Sequence, residues 1–86
     1  MPTISMFYGV VIQMFWNDHA PPHFHALYGE HEAIVAIETF QVLRGSLPRR
    51  ALALVFEWAQ DHRAELMENW ERCRLREMPT KIEPLQ

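Results

Sequence analysis

Three histidines within seven residues are the most chemically distinctive feature of the chain, and they lie in the stretch from Asn17 to Ala26. His23 and His25 stand two apart. In a β-strand, side chains two apart point to the same face, with their Cα atoms roughly 7 Å apart. Imidazole rings on one face can bind Zn, Ni, Cu or Fe, or they can act as general acid and base near neutral pH.

Other residues can extend this pair into a larger site. His19 lies across the Pro21-Pro22 link and joins the pair only if that link folds it back. His19, His23 and His25 are therefore the candidate catalytic residues and the candidate metal ligands. Asp18 is a candidate binding residue that can add an oxygen ligand or orient a ring, as can Glu38. Three protein ligands plus water is the arrangement of catalytic zinc, so the indicated cofactor is a divalent metal such as zinc. The alternative is that the histidines are structural, with ring nitrogens bonded to turn carbonyls.

Two further groups are candidate binding residues. Arg49 and Arg50 fall near the start of a predicted helix, where free amide donors favour anions, so they can hold a phosphate; the alternative is a solvated first turn. Trp58 and Trp70 are twelve residues apart, which places them about 120° apart around one continuous helix. Since both cannot lie at the centre of one buried stripe, we expect Trp58 to be exposed and to mark a partner surface.

The histidine pair is predicted to lie in a β-hairpin. Residues 23–28 and 31–38 have strand character, and Gly29-Glu30 between them suits a type II′ turn. The expected register pairs Tyr28 with His31, Phe24 with Val35 and His23 with Ala36. His31 then lies on the opposite face of the sheet from the histidine pair, although a slip of one residue would reverse this.

The rest of the chain supplies further strands and a helix. Residues 3–16 are rich in β-branched and aromatic side chains, which predicts a central strand covered on both sides, and Gly9 marks a bulge or a break into two strands. Apolar residues at 3–4 spacing predict a helix over about 47–77, either continuous or bent near Asp61-His62. Residues 79–86 are expected to be a loose tail.

These elements predict one α+β domain over residues 1–86, with strands over about 3–44. The expected architecture is a small antiparallel sheet of three to four strands packed by a long or bent C-terminal helix. The net charge of −3 argues against a large sequence-independent contact with nucleic acid, although a local basic patch can exist. No apolar run approaches the ~20 residues of a membrane span, and no secretion signal is recognised. The lone Cys73 fits a reducing, cytoplasmic setting.

Several short motifs along the chain form a specific combination. They are Asn17-Asp18-His19, Pro21-Pro22-His23-Phe24-His25, Glu38-Thr39, Leu47-Pro48-Arg49, and Leu66 through Asn69-Trp70. Through them the chain resembles the small bacterial domain-of-unknown-function family 4160 over nearly its whole length. The resemblance implies a compact cytoplasmic protein, often encoded beside another small protein in the manner of a toxin–antitoxin pair. It carries over no catalytic residue.

Two function hypotheses follow. The first is a cytoplasmic interaction module, one half of a toxin–antitoxin-like pair. Its partner would be a small neighbour-encoded protein or a second copy in a homodimer, covering the histidine edge or the exposed aromatic side chain. The second is a small histidine-dependent hydrolase or nuclease that uses His19, His23 and His25, with or without a divalent metal.

Overall fold

The computed structural model describes residues 3–16 and 18–86, which form a five-stranded antiparallel sheet followed by two helices. The elements in chain order are β1 (Thr3–Phe7), β2 (Val10–Gln13), β3 (His23–Tyr28), β4 (His31–Ala36), β5 (Val42–Ser46), α1 (Arg49–Asp61) and α2 (Arg63–Arg74). The strand order in the sheet follows the chain, so each strand pairs with the next one. The α+β class is confirmed, whereas the prediction of three to four strands is too low.

The additional strand arises from a tight turn at Tyr8 and Gly9. Both residues have positive φ, +48° and +85°, which a two-residue type I′ turn requires. The turn folds residues 3–16 into the β1–β2 hairpin, so the break at Gly9 is confirmed. The expectation of one central strand covered on both sides is wrong, because β1 is an edge strand and its Met6 side chain is exposed.

The β3–β4 hairpin has the predicted register. His23 pairs with Ala36, Phe24 with Val35, and Tyr28 with His31. Of the two turn residues only Gly29 has positive φ, as a type II′ turn requires. This register gives the sheet one apolar face, where Phe24, Ala26, Ala33 and Val35 are fully buried. The histidine pair therefore projects from the other face.

The helical segment breaks at His62, so a single helix over 47–77 is wrong and the alternative of a bend near that residue is confirmed. Because α2 takes a new direction, the angular argument for one continuous helix does not apply. Trp58 and Trp70 are both buried, at 0% and 7% exposure. The ring of Trp58 packs 5.3 Å from Phe7 and 6.0 Å from Phe24, measured between centroids. The prediction of Trp58 as an exposed partner surface is therefore wrong.

The C-terminal residues pack on the rest of the domain. Ile82 is buried, and its amide donates to the carbonyl oxygen of Ile4 at 2.7 Å. Trp58 Nε1 donates to the carbonyl oxygen of Glu83 at 2.8 Å, and the buried Asn69 side chain holds the backbone of Thr80 through two hydrogen bonds. The expected loose tail is wrong here, since Ile82 completes the core. Neither α1 nor α2 is long and apolar enough to cross a membrane.

Candidate functional site

The site is assembled from β3 and the loop that precedes it. His23 and His25 project from the face of the sheet opposite Phe24, as the strand period requires. The loop before β3 brings Asp18 back over this pair. The end of this loop nearest β3 is attached to the sheet, because the amide of Ile37 donates a hydrogen bond to the carbonyl oxygen of Pro22 at 3.0 Å.

Three side-chain atoms converge at the centre of the site. Asp18 Oδ2 lies 3.3 Å from His23 Nε2 and 3.1 Å from His25 Nε2. The three residues can each offer one ligand atom, and these atoms lie within 4.8 Å of one another. A tetrahedral metal with bonds of about 2.0–2.1 Å separates its ligands by roughly 3.3 Å. The two distances from Asp18 Oδ2 are therefore close to the spacing of ligands around one small cation.

The outer nitrogens of both rings contact oxygen acceptors. His23 Nδ1 lies 2.8 Å from the carbonyl oxygen of Pro21, and His25 Nδ1 lies 3.0 Å from Glu32 Oε2. A carbonyl oxygen only accepts, so Nδ1 of His23 donates this hydrogen bond and Nε2 is the nitrogen that faces Asp18. A neutral imidazole has one hydrogen, yet both nitrogens of His25 face carboxylates. A metal ion between His25 Nε2 and Asp18 Oδ2 would satisfy the contact that the single ring hydrogen cannot.

Aromatic neighbours hold the two rings in place. The His23 residue is 8% exposed, and its ring centroid is 5.1 Å from that of Trp70 on α2. The His25 ring meets Phe15 edge-on at 4.6 Å. Asp18 keeps 27% of its side chain exposed, so the point of convergence remains reachable from solvent. The site thus combines fixed nitrogen donors with an accessible carboxylate.

Asp18 lines two cavities. The larger, which we call the histidine cleft, has a volume of about 490 Å³. It is lined by Asp18, His19, Ala20, Pro21, His23, His25, Ile34, Leu43 and Arg44. The smaller, of about 250 Å³, lies beside Trp70 and contains Cys73 and Arg74. Burial raises the pKa of the Cys73 thiol, and the charge of Asp18 raises it further. Cys73 therefore stays protonated at neutral pH and serves as a packed side chain.

The structure unites only part of the predicted site. His19 lines the larger cleft, but it is exposed and lies outside the converging group; Glu38 also lies outside that group. His31 is exposed on the other side of the sheet, as predicted. Glu32 was not predicted to bind His25, although strand parity places both on one face.

The predicted phosphate-binding arginines lie elsewhere. Arg50 lines a separate cleft with Tyr8 and Tyr28, and Arg49 does not line the histidine cleft. The arginine that does line it is Arg44 on β5, which sequence reasoning missed. Its position follows from the pairing of β5 with β4, which includes a register shift between Ile34 and Val35.

Residues 9–71 match the family model described as Domain of unknown function (DUF4160), and this confirms the family resemblance. The matched segment is most of the chain and contains Asp18, His23, His25 and Glu32. No curated protein and no solved structure matches the chain at a significant level.

Proposed function

The chain belongs to the DUF4160 family, and we propose that it is a small hydrolase that binds a divalent transition metal through Asp18, His23 and His25. One observation carries this proposal. Three ligand atoms converge while the outer nitrogens of both rings contact oxygen acceptors. Metal-binding histidines in proteins usually have this second contact, which fixes the ring and its tautomer.

The chemistry of the ligands favours zinc or a neighbouring transition metal. Imidazole nitrogens suit Zn, Cu, Fe and Ni, whereas Mg²⁺ and Ca²⁺ prefer oxygen ligands throughout. Two histidines and one carboxylate leave one coordination position open, as in catalytic zinc sites. Asp18 and Glu32 also offset the charge of a divalent ion.

The surrounding cleft suits hydrolysis. When bound at such a site, a divalent metal lowers the pKa of water in its open position to about 7 and so supplies a nucleophile at neutral pH. In hydrolysis the water oxygen forms the new bond, the bond to the leaving group breaks, and the leaving atom takes up a proton. His19 lines the cleft outside the group of ligands, which suits it to donate that proton. Phe15 and Trp70 line the smaller cavity, which also includes Asp18.

Metal titration tests the proposal directly. Protein freed of metal with a chelator should bind one equivalent of Co²⁺ or Zn²⁺, followed by the Co²⁺ absorption spectrum and by competition with a chromophoric chelator. Asp18→Asn, His23→Ala and His25→Ala should each lower the affinity by more than the 10–100-fold that loss of an outer partner costs. His31→Ala is the matched control and should bind as the wild type does, since His31 lies on the other side of the sheet.

The outcomes separate a metal site from a structural histidine cluster. Wild-type protein that binds no transition metal, or equal losses in His31→Ala and His25→Ala, would overturn the proposal. Circular dichroism checks that each variant is folded. If a histidine variant unfolds, Asp18→Asn still decides, because it keeps the shape of a partly exposed side chain. Hydrolysis without metal would instead assign acid–base roles to the histidines themselves.

A second candidate is a cytoplasmic interaction module, one half of a toxin–antitoxin-like pair. Its favouring observation is that Trp16 and Leu43 are exposed large apolar side chains and Leu43 lines the cleft. A small neighbour-encoded protein, or a second copy of the chain, would cover them. Co-purification with the neighbour should then be lost with Leu43→Asp and retained with Leu75→Asp, since Leu75 is exposed but does not line the cleft. Equal binding by both variants would contradict this candidate.

A further inference from the structure

Arg44 and the converging ligand atoms share one cleft, and Arg44 is the only arginine or lysine among its lining residues. The sheet register explains this. Arg44 on β5 pairs with Ile34 on β4, and Ile34 pairs with His25 on β3. Residues directly paired across antiparallel strands point to the same face. Arg44 therefore projects beside the histidines, two strand spacings or about 10 Å from His25 along the sheet.

The charge of Arg44 is not offset by a neighbour. Across residues 3–16 and 18–86, no carboxylate lies within 4.0 Å of its guanidinium group. Arg74, which lies beside Asp18 in the smaller cavity, differs in this respect. Its guanidinium pairs with Glu71 at 2.8 Å, and this pair raises the pKa of Arg74. Among the arginines and lysines that the structure describes, Arg44 thus offers an uncommitted cation to a ligand in the histidine cleft.

From this arrangement we infer that the cleft binds a small phosphate ester, with its phosphoryl oxygens shared between the proposed metal and Arg44. The inference rests on the proposed metal site. A guanidinium group presents a fork of donors that matches phosphate oxygens, and a tetrahedral phosphoryl group has further oxygens for a metal. Ala20, Pro21 and Leu43 form an apolar wall for the alcohol portion.

Size and charge favour a small ester over a nucleic acid. The volume of about 490 Å³ falls within the usual range for small-molecule sites. Binding to a polynucleotide depends on many phosphate contacts, whereas this chain has a net charge of −3 and one arginine in the cleft. In the reaction, the water oxygen bonds to phosphorus, the bond from phosphorus to the ester oxygen breaks, and the released alcohol takes up a proton.

Inorganic phosphate is the probe for the first experiment. Co²⁺-loaded wild-type protein should change its absorption spectrum as phosphate is added, and the titration gives a Kd. Arg44→Gln should raise that Kd by about 10-fold to 100-fold, the usual effect of losing charge-assisted hydrogen bonds. The Kd of Arg44→Lys should lie between those of the wild type and Arg44→Gln, because lysine keeps the positive charge but cannot form the two parallel hydrogen bonds of a guanidinium group. Arg50→Gln is the matched control, since Arg50 lines another cleft.

A second readout tests the class of substrate. Arg44→Gln should lower kcat/KM for p-nitrophenyl phosphate by a similar factor, whereas Arg50→Gln should leave it unchanged. Normal Co²⁺ binding with no response to phosphate, or equal Kd values for Arg44→Gln and wild type, would overturn this inference and leave the metal site intact. Acetate binding as tightly as phosphate would overturn the phosphate assignment. Failure of the wild type to bind Co²⁺ would overturn both proposals.

Discussion

Removing Glu32 tests whether the outer contact of His25 serves a bound metal or only the fold. Glu32 Oε2 lies 3.0 Å from His25 Nδ1, on the side of the ring away from Asp18. The side chain of Glu32 is 52% exposed, so its truncation opens no cavity in the core. The change therefore separates two roles that substitution of the histidine itself would mix.

The expected magnitudes differ between the two roles. A partly exposed ion pair contributes about 0–1 kcal/mol to folding, so Glu32→Ala should change the free energy of unfolding by no more than that. Loss of an outer partner of a metal-binding histidine costs 10–100-fold in metal affinity, or about 1.4–2.7 kcal/mol. Glu32→Gln should lose less metal affinity than Glu32→Ala, because its amide oxygen can still accept a hydrogen bond from His25 Nδ1.

The assay is competition with a chromophoric chelator for Zn²⁺, in parallel with urea unfolding of the metal-free protein. Glu30→Ala is the control, because Glu30 is an exposed carboxylate in the adjacent turn. Zinc affinity should fall in Glu32→Ala and stay unchanged in Glu30→Ala. Equal affinities for Glu32→Ala and wild type, or an equal loss in Glu30→Ala, would refute the reasoning from the outer contact.

Three further predictions concern the framework of the site. Trp58→Ala should lower the free energy of unfolding by about 3–5 kcal/mol in urea, because the side chain is fully buried, whereas Trp16→Ala should have a small effect; similar values would contradict the assigned burial. Gly45→Ala should destabilise the protein more than Gly29→Ala in thermal unfolding. A Cβ at Gly45 would lie 2.1 Å from a backbone oxygen of β4, whereas at Gly29 nothing lies within 4 Å and only the strain of positive φ, about 1–2 kcal/mol, applies. Cys73 in the native protein should react with a chromogenic disulfide far more slowly at pH 8 than in urea, because burial and a raised pKa both reduce the accessible thiolate. Rapid native labelling would contradict that view.

The β3–β4 hairpin was predictable because its determinants are local. Gly29 supplies the positive φ of the turn, and the turn sets the pairing of every residue that follows it. Alternating side chains then fix which residues share a face, including His23 and His25. The same reasoning applies to β1 and β2 once Tyr8 and Gly9 are recognised as a second two-residue turn.

The helical segment was less predictable, because the sequence allowed either a continuous helix or a bend near Asp61-His62. α1 ends at Asp61, and His62 leaves helical geometry at φ −126° and ψ 22°. No glycine or proline stands at this point, and no side-chain cap precedes α2. Because α2 is a separate helix, the exposure of Trp58 could not be derived from the spacing of one continuous helix.

The candidate site was predictable only in part. Strand parity gives the shared face of His23 and His25, and it also puts Glu32 there without saying that the two side chains meet. The approach of Asp18 depends on a loop whose path no periodic pattern describes. Arg44 comes from a strand that was expected to end near it, so its position required the full five-stranded register.

The break at His62 links the core to the site. α1, His62 and α2 as one straight helix would be about 39 Å long, whereas the longest dimension of the domain is 33 Å. The change of direction keeps α2 against the domain, where Trp70 packs beside His23. His23 projects from the face of the sheet that α1 does not cover, so its burial depends on α2. The helical pair therefore buries Trp58 on one face and fixes His23 on the other, which keeps Nε2 of His23 aimed at Asp18.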